Sequence, residues 1–151
     1  MALKEQIQND MKAALLGGNR FEGDVLRDLK AAILNEEVAQ GLRDTGLSDT
    51  QIETLIAKEV KKRKESIALY QANGRPELAE TEQKEIAVLE AYLPQQLSEA
   101  EVRTIAQAII VELGILSPQQ MGQVIGAVKA KTGTAADGAL VARIVKELLT
   151  A

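Results

Sequence analysis

Leu3, Ile7, Met11 and Leu15 recur at every fourth position, which places them on one face of a helix over about residues 2–16, closed by Gly17 and Gly18. Val25, Leu26, Leu29, Ala32 and Ile33 make the apolar face of a second helix, which runs to about Gln40 before Gly41 opens a polar connection. Ser48 and Gln51 have the spacing of a capping box. They predict a long third helix carried by Ile52, Leu55, Ile56, Val60, Ile67 and Leu69 towards Asn73 and Gly74, roughly 37 Å at the helical rise. Pro76 suits a first helical position, and Leu78, Ile86, Leu89 and Leu93 mark a fourth helix that folds back as the second arm of an antiparallel hairpin.

The stretch EAYLPQQLSEAE, residues 90–101, then changes the pattern. Pro94 lacks an amide proton and disfavours helix at Leu93, while Ser98 and Glu101 are spaced for a second reciprocal cap. Beyond it the helices shorten. Val102, Ile105, Ile109 and Leu113 define one that ends at Gly114; Ser117, Pro118 and Gln120 start another through Met121, Val124, Ile125 and Val128; a last begins at Asp137 and buries Leu140, Val141, Ile144, Val145, Leu148 and Leu149. No segment alternates with strand period, and no repeat is present. The expected fold is all-α, with a four-helix N-terminal domain over 1–93 containing the long hairpin, and a small three-helix bundle over 94–151.

Composition narrows the chemistry. With no Cys and no His, thiolate and imidazole catalysis and the usual zinc ligands are excluded. One Phe, two Tyr and no Trp leave aliphatic side chains to fill the interior and few rings for stacking on bases. No apolar run approaches the roughly 20 residues a membrane span needs, and the N-terminus alternates charged and apolar residues, so a cytoplasmic protein without a membrane role is expected. No motif for a cofactor, a metal or a nucleophile stands out, so no independent catalysis is expected.

Three blocks, VLRDLKAAILNEE (25–37), KEVKKRKESIALYQANGRPELAETEQKEIAVLEAYLPQQLSE (58–99) and MGQVIGAVKAKTGTAADGALV (121–141), resemble the GatB/YqeY family, in its stand-alone YqeY-like form. The middle block is the specific one, joining a basic helix, a Gly-Arg turn and a Tyr-Leu-Pro junction in one order. The resemblance implies that the C-terminal domain is similar to the tail of GatB, a subunit of the glutamine-dependent amidotransferase acting on mischarged tRNA. That tail contacts tRNA and does no chemistry. It therefore implies handling of structured RNA, tRNA above all, with Lys129, Lys131, Gly133, Asp137 and Gly138 at the contact. It also links the chain to carbon–nitrogen ligases using glutamine as amido-N-donor, as an accessory or alongside an aminoacylation- or amidation-related partner. Ala135, preceded by Thr134, departs from a position that such sequences commonly fill with a base.

The densest basic run is Lys58, Lys61, Lys62, Arg63 and Lys64, a face for RNA or an acidic partner, or else surface charge paired through Glu59–Arg63 and Lys61–Glu65. Arg20, Arg27 and Lys30 form a second set. Arg27 either anchors a partner or fixes helix packing by pairing with Glu36, Glu37 or an acid of the hairpin. Glu77, Glu80, Glu82 and Glu85, with Glu36 and Glu37, read as helix-start and surface acids rather than a metal site. Gly122 and Gly126 permit close approach of a neighbouring helix or of a ligand; the second option sets the amides of the last helix near phosphate. Residues 1–92 carry 13 Lys or Arg against 17 Asp or Glu, and residues 93–151 five of each, so any RNA contact depends on local patches and is salt-sensitive. A helical protein-interaction module without RNA is the competing expectation.

Overall fold

The computed structural model describes residues 2–150. Among these the fold is all-α: α1 (Leu3–Leu16), α2 (Arg20–Ala39), α3 (Asp49–Ala72), α4 (Pro76–Glu90), α5 (Glu99–Leu113), α6 (Met121–Thr132) and α7 (Gly138–Thr150), with 3-10 turns at Pro118–Gln120 and Gly133–Ala135 and no strand. The chain divides into two compact units, Met1–Leu93 and Pro94–Ala151.

Helix starts follow local chemistry. Asn19 accepts the Glu22 amide at the head of α2 at 3.2 Å. At α3 the Gln51 amide donates to Ser48 Oγ at 3.2 Å while the Ser48 amide donates to Gln51 Oε1 at 2.8 Å, and Ser98 with Glu101 repeats this exchange at α5. Each box satisfies two amides that the first turn otherwise leaves without partners. Gly114 ends α5 in the left-handed region, φ +66°, where a side chain is unfavourable.

In the first unit α3 and α4 pack along each other and α1 against α2, around Ile7, Leu26, Leu29, Ile33, Ile52, Ile56, Val60, Ile86 and Leu89. In the second, α5, α6 and α7 pack pairwise around Val102, Ala106, Val124, Val128, Val141, Ile144 and Val145. The approach to α5 is held by the Leu97 amide on the Ala135 carbonyl at 2.8 Å and by Gln96 Nε2 on the Thr134 carbonyl at 2.9 Å.

Three local expectations are revised. Leu69 is exposed, because it lies about 260° round α3 from Ile52 and off the buried stripe. Ser117 caps a 3-10 turn through the Gln119 amide, and α6 proper begins only at Met121. The fourth helix stops at Glu90, and Leu93 packs on the core from the connection beyond it.

Candidate nucleic-acid interface

Lys129 and Lys131 both occupy the last turn of α6, where a cation opposes the negative end of the helix dipole. Two positions apart, they point about 200° from each other and flank the buried line of Val124, Val128 and Thr132 from opposite sides. Gly133, at φ +55° and ψ −132°, turns the chain out of α6. Asp137 Oδ1 then accepts the Ala139 amide at 3.3 Å, capping α7. At Gly138 a Cβ would stand 3.4 Å from Cε and Nζ of Lys129. One corner of the second unit thus gathers Lys129, Gly133, Asp137 and Gly138, with Lys131 on the other edge of α6.

The glycines of α6 do not serve packing. A Cβ at Gly122 or Gly126 would meet nothing within 4 Å, and the same holds at Gly133. Gly122 and Gly126 share the Lys129 side of the helix by spacing, so backbone lies open beside that lysine. Close approach to a neighbouring helix is therefore corrected. The phosphate-on-amides arrangement is also altered, since Asp137 already occupies the first turn of α7 with its own carboxylate.

The α3 run divides. Ile52, Ile56, Val60, Arg63 and Ile67 are spaced 4, 4, 3 and 4, which puts Arg63 on the buried stripe and not on the basic face. Only 17% of its side chain is exposed; it reaches Glu85 at 2.9 Å, Glu59 at 3.1 Å and Glu82 at 4.0 Å. Burial opposes its charge, but the Glu85 and Glu59 carboxylates outweigh that and raise its pKa. One guanidinium among three carboxylates leaves Glu82 the weakest partner, and burial followed by the Glu85 charge pushes its pKa up. Lys58, Lys61, Lys62 and Lys64 are exposed. Lys62 pairs with Glu59 at 3.5 Å, whereas Lys58, Lys61 and Lys64 make no ion pair among the described residues, so the expected Lys61–Glu65 pair is absent.

Arg27 does not fix helix packing. It is exposed, and among the described residues it pairs only with Asp24, at 3.0 Å. Glu37 instead takes Lys4 from α1, whose Nζ lies 2.8 Å from both carboxylate oxygens, and accepts the Leu47 amide at 2.9 Å. The Lys4 hydrogen bond holds its pKa below the usual carboxylate range against the opposing effect of burial. This lock escaped the sequence because helical spacing reports only partners three or four residues away; the double acid Glu36-Glu37 on an amphipathic helix, with Glu37 in phase with buried Ile33, was the available signal. Among the described residues no group of three or more Asp or Glu is placed to hold a metal ion, and no helix is long and apolar enough to cross a membrane.

These features define an all-helical protein of two compact units whose exposed chemistry is a set of lysine-bearing helix faces. The chain matches the Yqey-like protein family over residues 4–149 and belongs to that family. Its relatives include the protein named Altered inheritance of mitochondria protein 41, mitochondrial, from three yeasts. The Kluyveromyces lactis protein is 32% identical over 130 residues, covering 83% of this chain and 69% of the relative. That of Lachancea thermotolerans is 30% identical over 115 residues (74% and 60%), and that of Eremothecium gossypii 33% over 87 residues (58% and 46%). The chain thus spans roughly half to two-thirds of the length of these curated relatives. The cytoplasmic expectation is overturned by them, since they are mitochondrial proteins by name; residue composition and lack of a long apolar run do not distinguish one aqueous compartment from another.

Proposed function

We propose that this chain is a noncatalytic RNA-associated protein whose second unit docks on structured RNA, tRNA above all. The observation that supports this best is the open glycine backbone beside Lys129. Phosphate and ribose approach most closely where side chains are missing, and a lysine at the edge supplies charge without demanding sequence. Lys131 reaches a second phosphate from the far edge of α6. Because Asp137 fills the α7 N-terminus, the anion contacts fall on the two lysines rather than on helix amides. The unit carries as many acids as bases, so recognition is by shape with few charges, as is common for folded RNA.

The relatives are named for a phenotype and not a reaction, so they assign no substrate. Titration of fluorescently labelled tRNA tests the reading. Saturable binding at low salt that weakens about tenfold or more at physiological salt is expected; absence of saturable binding at low salt overturns it.

A further inference from the structure

The first unit has an unpartnered helix face of a different kind. Arg27, Ala31, Leu34 and Val38 are all exposed on α2 and are spaced 4, 3 and 4, which is the spacing of a seam that receives another helix. The stripe extends about 16 Å along α2. Its large apolar side chains lie open, Leu34 at 46% and Val38 at 57%. Alongside runs a groove of about 300 Å³ lined by Lys4, Arg27, Lys30, Ala31, Leu34 and Glu37.

The charge of that lining selects the occupant. Three cations face one acid, and the acid, Glu37, is buried and neutralised by Lys4. Among the described residues Lys30 makes no ion pair and Arg27 pairs only with half-exposed Asp24. A second copy of this chain laid stripe on stripe would bring the same cations together. A small ligand is poorly served too, because a trough floored by half-exposed Leu34 leaves one side open, whereas small-ligand sites enclose most of the ligand. From this geometry we infer that the α2 face docks an acidic amphipathic helix of another protein, with leucine-type side chains against Ala31, Leu34 and Val38 and carboxylates against Lys30 and Arg27. The inference does not rest on the RNA reading, which concerns the other unit.

The test uses the full chain and a pair of labelled synthetic helical peptides with leucines at heptad a and d positions. One peptide carries Glu at the flanking positions and the other Lys. The acidic peptide binds saturably and at least tenfold more tightly than the basic one. Leu34→Glu and, separately, Val38→Glu weaken it tenfold or more, and Lys30→Glu weakens it, all with far-ultraviolet circular dichroism unchanged; Leu34 and Val38 are exposed, Lys30 is partly exposed, and none of the three belongs to the buried core. Lys129→Gln with Lys131→Gln leaves peptide binding unaltered, which keeps this result separate from the tRNA titration. Equal binding of the two peptides, or indifference to both Leu34→Glu and Val38→Glu, overturns the inference. So does a dimer in light scattering that Leu34→Glu dissociates, which would assign the face to self-association, or loss of tRNA binding in that variant, which would assign it to RNA.

Discussion

Glu37 tolerates a side chain only 1% exposed because an ammonium and an amide meet its two oxygens. A buried carboxylate without such partners would take up a proton instead. Lys4→Met removes the cation and is expected to cost about 2–3 kcal/mol at neutral pH, less than the roughly 3–5 kcal/mol for breaking a fully buried pair, because Lys4 itself is half exposed. The pH dependence has a definite sign. The pKa of Glu37 is lower folded than unfolded, so the stabilisation is complete above the ordinary glutamate value and is lost as pH falls through the depressed folded value. Urea unfolding across acid pH checks this, and Glu37→Gln flattens that part of the profile.

Arg63 gives a second prediction at this scale. Its three acids are not equivalent, since Glu85 and Glu59 lie close and Glu82 at 4.0 Å. Glu82→Gln relieves repulsion from Glu85 and changes stability by no more than about 0.5 kcal/mol at neutral pH. Glu85→Gln costs about 1–2 kcal/mol by weakening a charge-assisted hydrogen bond. Equal losses from the two variants in parallel denaturation curves would contradict this ranking.

At the scale of the helix, the caps decide where structure begins and ends. Ser98→Ala removes the Oγ acceptor of the Glu101 amide while leaving the residue 98 amide to donate to the Glu101 carboxylate, an expected loss of about 1 kcal/mol. Gly114→Ala forces a Cβ into left-handed backbone and costs a similar amount, about 1–2 kcal/mol. Both are read from thermal unfolding. These elements were legible in the sequence because their causes are local: Ser48 with Gln51 and Ser98 with Glu101 announce their helices by spacing alone. Arg63 was legible in principle as well, by its phase with Val60 and Ile67, although its place within a run of lysines suggests a surface role. The partner of Glu37 was not, because Lys4 is 33 residues away and only packing of α1 on α2 brings it near. Nor was the direction in which Gly122 and Gly126 face, since a glycine marks equally well a crowded backbone and an open one.

At the scale of the whole molecule, the two units present different chemistry. The first offers an apolar stripe edged by cations on α2 and, on α3, Lys58, Lys61 and Lys64, which make no ion pair among the described residues; the second offers open backbone edged by Lys129. The acids that outnumber bases in residues 1–92 oppose nonspecific attraction to polyanions, so the proposed docking on RNA requires selectivity for a folded shape. The most direct test compares the salt dependence of labelled-tRNA affinity in the unaltered chain and in the Lys129→Gln, Lys131→Gln double variant. Loss of two phosphate contacts predicts a salt slope lower by about two, with affinity at low salt reduced by on the order of tenfold. An unchanged slope and affinity in a variant that folds normally would contradict docking through this corner.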